Sequence, residues 1–327
     1  PYLFGASPAI CRSFLGAQPT SLEEFDENSY YQPYATSLRM GDIGYQNNKE
    51  SEHGIKASYD SLQAYVDSLS CAISTPCKEY ETIGVLVDGE YRQLNTSILQ
   101  IENEYYSTIR PKQVSKGNER PTVALQRRGI AYVELRSLDV NAFDPLGINE
   151  RQLYFLECFL LFCLLHDSPV ISPDERRAID DNELRAAHRG REPDLKLTRA
   201  SQSITLKDWA TELVQEMEPV CELLDRSTEG QPYCLALEAQ HRKIQDPELT
   251  PSARMLTEMR DRGESFYRFA SRVSQSHEHF FRNLPLSEAK QRFYAELAEK
   301  SHEDQQAMEA ADEISFEQYL ERYYSQV

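Results

Sequence analysis

The sequence predicts an α+β protein, with a mainly antiparallel sheet region over residues 1–148 and a helical region over residues 149–327. Three observations predict it. Residue-by-residue alternation and a hairpin signature crowd the first part. Apolar residues at three- and four-residue spacing fill the second. Pro169, Pro173, Pro247, Pro251 and Pro285 divide that second part into separate helices.

The elements follow in chain order. Leu62, Tyr65, Val66, Leu69 and Ile73 recur at helical spacing, so a helix interrupts the β-rich part. Ile83–Val87 and Glu90–Leu94 flank Asp88-Gly89, a dipeptide that suits the positive φ of a type I′ hairpin turn. Ser97–Tyr106 alternates, which predicts a strand with Gln100, Glu102, Glu104 and Tyr106 on one face. Ile130–Val140 alternates likewise and places Tyr132, Glu134 and Arg136 on one face. Between them Arg110–Arg120 is polar, with a turn expected at Lys116-Gly117-Asn118. Asn149 is placed to cap an apolar helix running through Leu165. Further helices are expected near 174–188, 206–224, 231–244, 252–260, 264–282, 287–311 and 316–324, with a loop at Gly190–Pro193. No internal repeat is visible.

Charge narrows the function classes. Lys plus Arg is 35 and Asp plus Glu 53, a net charge of −18. Phosphate-coated partners, whether nucleic acid or an anionic membrane surface, would be repelled. The longest apolar run, Leu153–Leu165, contains Glu157 and falls short of the ~20 residues a membrane span needs. The seven cysteines are scattered without a CxxC pair. With no charged start and apolar stretch of the secretory kind, reduced and mostly buried thiols in a cytoplasm are expected.

No Walker loop, GxGxxG or GxSxG occurs, so any phosphate chemistry must rest on carboxylates and basic side chains of the sheet. Glu134 and Arg136 lie two apart on a strand, about 7 Å on the same side, a spacing that sets a hard cation beside a phosphoryl oxygen. Gln100, Glu102, Glu104 and Tyr106 extend that polar face; the alternative is a solvated sheet surface with cross-strand ion pairs. Arg110 and Lys112 precede the 115–120 loop and form a basic cluster in an acidic protein, placed either at nucleotide phosphates or at a solvated hairpin tip. His277 and His279 point apart on a helix and suit no shared metal. Cys158 and Cys163 read as core thiols, and His166 as a cation at a helix end.

The segments PYLFGASPAIC (1–11), PYATSLRMGDIGY (33–45), LQIENEYYSTIRPK (99–112) and YVELRSLDVNAF (132–143) closely resemble the proteobacterial glutamate–cysteine ligase family. Weaker echoes stand at Gly190-Arg191, LTPSAR (249–254) and QQAMEAAD (305–312). The resemblance implies a glutamine-synthetase-like antiparallel sheet on which carboxylates hold magnesium, with manganese as the other metal such a site takes. It implies ATP-dependent joining of the γ-carboxylate of L-glutamate to the amine of L-cysteine through an acyl phosphate, the first step of glutathione biosynthesis. It assigns Glu134 to metal with Gln100 and Glu104 as further candidates, and Arg136 to the transferring phosphoryl group. The basic cluster of Arg110 and Lys112 is expected at the ATP phosphates on its charge, and by resemblance Arg39, Tyr45 and Tyr106 match the family's cysteine-binding positions. Family members carry a large segment upstream of the position of Pro1 that holds most metal-binding glutamates. The chain is therefore expected to be the C-terminal part of a monomeric enzyme, with that segment as its main contact. A ligase for another amine, or a non-catalytic helical fragment, are the competing expectations.

Overall fold

The computed structural model describes residues 1–15, 21–44 and 56–326. The β-rich part is assembled from short antiparallel pieces. Strands β1 (Ala9–Cys11), β2 (Glu23–Asp26) and β3 (Ser29–Tyr31) form a sheet of order β1-β3-β2. Helix α1 (Arg12–Leu15) follows β1, and α2 (Leu62–Ser74) and α3 (Lys78–Ile83) precede the hairpin β4 (Leu86–Val87) and β5 (Glu90–Tyr91). Asp88 and Gly89 both have positive φ, as the type I′ turn requires. Strand β6 (Ile109–Lys112) pairs antiparallel with β7 (Tyr132–Leu135), with helix α4 (Pro121–Arg128) between them in sequence. That register sets Arg110 opposite Glu134 and Lys112 opposite Tyr132.

The helical part follows the proline-delimited expectation. Helix α5 (Glu150–Leu165) begins with a capping box: Asn149 Oδ1 accepts from Gln152 N, and Gln152 Oε1 accepts from Asn149 N. Next come α6 (Pro173–Arg189), the hairpin β8 (Lys196–Arg199) and β9 (Gln202–Thr205), and α7 (Leu206–Asp225). They are followed by α8 (Pro232–Gln245), α9 (Pro251–Arg262), α10 (Phe266–Arg282), α11 (Glu288–Ala310) and α12 (Phe316–Tyr324). One core packs Phe155, Cys158 and Phe162 of α5 against Met217 and Cys221 of α7 and Ala236, Leu237 and Ile244 of α8. A second joins Ala6 and Ala9 to Met255, Leu256, Met259 and Phe269. A third packs Tyr65, Val66 and Leu69 of α2 on Tyr105 and Leu125. No described helix is long and apolar enough to cross a membrane.

Three expectations are corrected. Ser97–Tyr106 is not a strand. It makes one bridge, Pro76 to Ser97, and then turns through a 3-10 segment at Glu102–Glu104. Polar side chains take the backbone groups a ladder would use: Gln100 Oε1 accepts from Leu94 N at 2.7 Å, and Glu104 Oε2 from Gln100 N at 2.7 Å. The second correction is Cys163, which is exposed while Cys158 is fully buried. Five residues on a helix are about 140° apart at ~100° each, so the two cannot share a core face. Only Cys77, Cys158 and Cys221 of the seven thiols are buried. The third is the β8–β9 hairpin, for which the sequence carries no turn signal, because Ala200 and Ser201 occupy its positive-φ positions.

The family-like segments 1–11 and 33–45 meet at a tight crossing. A Cβ on Gly5 would stand 2.4 Å from Pro1 O and 2.5 Å from Thr36 O, so only glycine fits. The amides of Thr36 and Ser37 donate to Ala187 O at 2.9 and 3.1 Å. The buried Arg191 guanidinium donates to Ala35 O and Pro33 O, so the echo at 190–191 clamps this loop.

Candidate active site

A cavity of about 840 Å³ opens between the two parts of the chain. Arg39, Tyr106 and Arg136 line one side, and Arg176, Asp180, Glu183 and Leu184 of α6 line the other. Tyr106 and Arg39 also border a neighbouring, more apolar cavity of about 540 Å³ with Leu38, Ile10 and Phe266. Of the residues singled out from sequence, Arg39, Tyr106 and Arg136 are thus brought to one place. Tyr45 lies outside the described residues.

Glu134 lies on strand β7 and Arg136 one residue beyond its end, where the Arg136 amide still donates to Thr108 O at 2.8 Å. Arg136 Nε donates to Glu134 Oε1 at 3.0 Å, and Lys112 Nζ stands 3.4 Å from Glu134 Oε2. Partial burial pushes the Glu134 carboxyl up, but the Arg136 hydrogen bond and the Lys112 and Arg136 charges outweigh it and hold its pKa below the ordinary value. Arg136 lies over the Tyr106 ring, 5.4 Å from its centroid. Among the described residues, Arg136 Nη1, Glu134 Oε2 and Arg110 Nε are buried atoms without a hydrogen-bond partner. Such atoms are costly to bury; of the three residues only Arg136 lines the cavity of about 840 Å³, and Arg110 lines a separate one of about 150 Å³. Arg110 itself is 4% exposed and donates from Nη2 to Glu102 O at 3.3 Å.

Arg39 is held by a carboxylate that the sequence reading did not single out and by two backbone carbonyls. Its Nε donates to Asp139 Oδ1 at 2.6 Å, and its Nη2 to Arg136 O and Leu138 O, each at 2.8 Å. Asp139 is buried and also accepts from Ala6 N at 2.7 Å and Ser7 Oγ at 2.8 Å. This one carboxylate therefore ties the 1–11, 33–45 and 132–143 segments together. The available signal was its position in YVELRSLD, three residues beyond Arg136. The α6 wall was missed for a different reason: Arg176, Asp180 and Glu183 lie in an ordinary charged helix, and only the tertiary fold turns them to the cavity. Lys56 and Arg176 both form ion pairs with Asp180. Tyr59 donates to Ile109 O and Ser107 Oγ, and burial raises its phenol to about 12.

Gln100 and Glu104 line neither of the two cavities. Their grouping with Glu134 rested on a shared strand face that does not exist. Glu102, from the same stretch, is 1% exposed and fully engaged: it accepts from Arg120 Nε at 2.9 Å, Thr122 Oγ1 at 2.5 Å and Tyr323 Oη at 3.1 Å. No group of three His, Cys, Asp or Glu suited to a metal ion occurs among the described residues. His277 bonds Ala142 O and His279 pairs with Asn283, which agrees with their divergent placement.

Comparison with known proteins converges on one family. A family profile described as glutamate-cysteine ligase matches residues 1–186. The chain is 48% identical over 326 residues to a glutamate–cysteine ligase of Pseudomonas paraeruginosa and 46% identical to one of Azotobacter vinelandii, covering 100% of this chain and 61% of either relative. The crystal structure of a glutamate–cysteine ligase from Francisella tularensis in complex with AMP superposes with a TM-score of 0.90 at 38% identity, covering 99% of this chain and 64% of that one. A bifunctional glutathione synthetase of Pasteurella multocida shares the fold, with a TM-score of 0.53 at 20% identity. The chain thus spans about three-fifths of the length of the curated relatives it matches.

Proposed function

The chain belongs to the glutamate–cysteine ligase family, and from that premise we propose that it supplies part of an active site joining the glutamate γ-carboxylate to the cysteine amine, with ATP cleaved to ADP and phosphate. The observation that carries the reading is the buried Arg136 Nη1, which has no hydrogen-bond partner, in the cavity that Arg39 and Tyr106 also line, with Glu134 holding the same guanidinium.

In this reading Arg136 uses its free nitrogen for an oxygen of the transferring phosphoryl group, whose negative charge grows as the acyl phosphate forms. Lys112 and Arg110 stand behind it for the nucleotide phosphates, and the AMP complex of the Francisella relative supports nucleotide use. Arg39 and Tyr106, with Tyr45, take the carboxylate and small thiol of cysteine. Asp139 fixes the Arg39 guanidinium so that it need not be ordered on binding.

Magnesium fits in part. Glu134 offers one carboxylate oxygen, whereas a hard divalent cation takes about six oxygen ligands. The remaining ligands would come from substrate phosphates, water and residues beyond those described here. When bound, the ion neutralises charge on the phosphates. We further propose that residues 1–148 carry most of the site and that 149–327 brace it and supply its α6 wall. The main partner of the β6–β7 ribbon would be the part of the relatives' length that this chain does not span. Tyr132 and Val133 on β7 are 52% and 43% exposed, and a two-stranded ribbon rarely stands alone.

The test is ADP release by the full-length protein, with glutamate present and cysteine added or withheld. Cysteine-dependent ADP release with γ-glutamylcysteine as product supports the reading. ADP release that another amine supports and cysteine does not would replace the acceptor, and no ATP cleavage under any amine would refute the ligase.

A further inference from the structure

The proposed ligation leaves one chemical requirement without a residue. At neutral pH an amino acid carries an ammonium group, which has no lone pair. It must lose a proton before nitrogen can attack the acyl phosphate. None of Arg39, Tyr106, Arg136 or Lys112 is suited to take that proton, since three are cations and one a phenol.

The opposite wall of the cavity offers a carboxylate. On α6, Arg176, Asp180, Glu183 and Leu184 fall at helical spacing and line the same cavity as Arg39, Tyr106 and Arg136. Asp180 is neutralised by ion pairs with both Lys56 and Arg176. Glu183 has no ion pair or hydrogen bond from another described residue. We propose that Glu183 is the general base that accepts the ammonium proton of the amino acid whose carboxylate Arg39 binds. This assignment rests on the ligase reading above.

The step balances. Glu183 carboxylate takes one proton from the ammonium to give the carboxylic acid and the free amine. The amine lone pair forms the C–N bond at the acyl carbon as the C–O bond to the phosphoryl group breaks. The second amine proton leaves with the phosphate. Burial raises the Glu183 carboxyl above its ordinary range, and Asp180 adds to the rise. Arg176 and Lys56 act in the opposite direction. A carboxyl raised in this way is a better base near neutrality than an exposed one.

The experiment compares two acceptors in the full-length protein. Cysteine must be deprotonated to react, whereas hydroxylamine is already neutral at pH 7.5. Glu183→Gln is expected to lower kcat with cysteine by about 10²-fold and with hydroxylamine by less than about threefold, at unchanged KM for ATP. The cysteine deficit should shrink as pH rises toward 9.5, and Glu183→Asp should recover part of the rate. Equal losses with both acceptors at every pH would overturn the assignment and leave Glu183 a structural residue, as would no loss at all. A wild-type protein that ligates neither acceptor would remove the ligase reading itself, and a wild-type ligase indifferent to Glu183→Gln would remove only this inference.

Discussion

Two carboxylates, Glu102 in the 3-10 segment before β6 and Glu134 on β7, do different things. Glu102 is sealed: 1% exposed, with Arg120, Thr122 and Tyr323 all donating to it, and the last of these brings α12 back from the far end of the chain. Glu134 is about one-third exposed, holds Arg136 and Lys112, and keeps an oxygen without a hydrogen bond. Both have basic partners, so the presence of an ion pair does not separate a brace from a site. The bonding capacity left over does. A closed network is stabilising only when every member is satisfied, and an open one is retained where something else completes it.

The comparison can be broken by substitution, the largest effects first. Arg136→Lys keeps the charge and loses the planar fork, so kcat for ligation should fall by about 10²–10³-fold. Its folding midpoint should move by little, since Arg136 spends only Nε on Glu134. Glu102→Gln should do the reverse. It leaves the Arg120 guanidinium buried against a neutral amide, a loss of ~3–5 kcal/mol in urea unfolding with α12 released early. Arg39→Ala sits between the two. It should raise the cysteine KM by an amount on the order of 2–4 kcal/mol, and it should also destabilise, because Asp139 at 4% side-chain exposure loses its cation. Cysteine KM that stays constant while stability falls would make Arg39 a brace like Glu102.

The smallest effect concerns Lys243, inside the helical core region. Its Nζ donates to Leu3 O and Gln240 Oε1 over the Phe4 ring, and burial pulls its pKa down from 10.5 to about 8. Between those values the unfolded chain binds more protons, so this group makes stability rise with pH from about 8 toward 10.5. The opposite sign holds for Tyr2 and Tyr59, raised by burial from 10.0 to about 12, whose contribution falls as pH climbs through that upper window. Lys243→Met should abolish the rise between pH 8 and 10 in denaturant titrations. An unchanged slope would mean that the ammonium is solvated.

Much of this was legible in the sequence, and the failures have physical causes. The helix boundaries from Asn149 onward could be read because prolines and caps are local signals, and the α5 capping box is the clearest case. Alternation located β7 and Glu134 on it, although the strand spans only Tyr132–Leu135 of the expected Ile130–Val140 and Arg136 follows its end. The same rule failed at Ser97–Tyr106, where Gln100, Glu102 and Glu104 spend their side chains on backbone and buried partners. Alternation describes where side chains would point in a strand, not whether a ladder forms. Asp139 was passed over because its contacts are with Ala6 and Ser7, more than a hundred positions away, and Glu183 because only the tertiary fold turns its helix to the cavity.

The most direct measurement takes Glu134→Gln and Glu102→Gln side by side, recording both the thermal midpoint and the magnesium dependence of ligation per folded molecule. The account predicts that Glu134→Gln raises the magnesium requirement sharply and leaves the midpoint within about 2 °C, while Glu102→Gln lowers the midpoint by roughly 10 °C and leaves the magnesium requirement unchanged. A Glu134→Gln protein that is unstable yet shows ordinary magnesium dependence would contradict it.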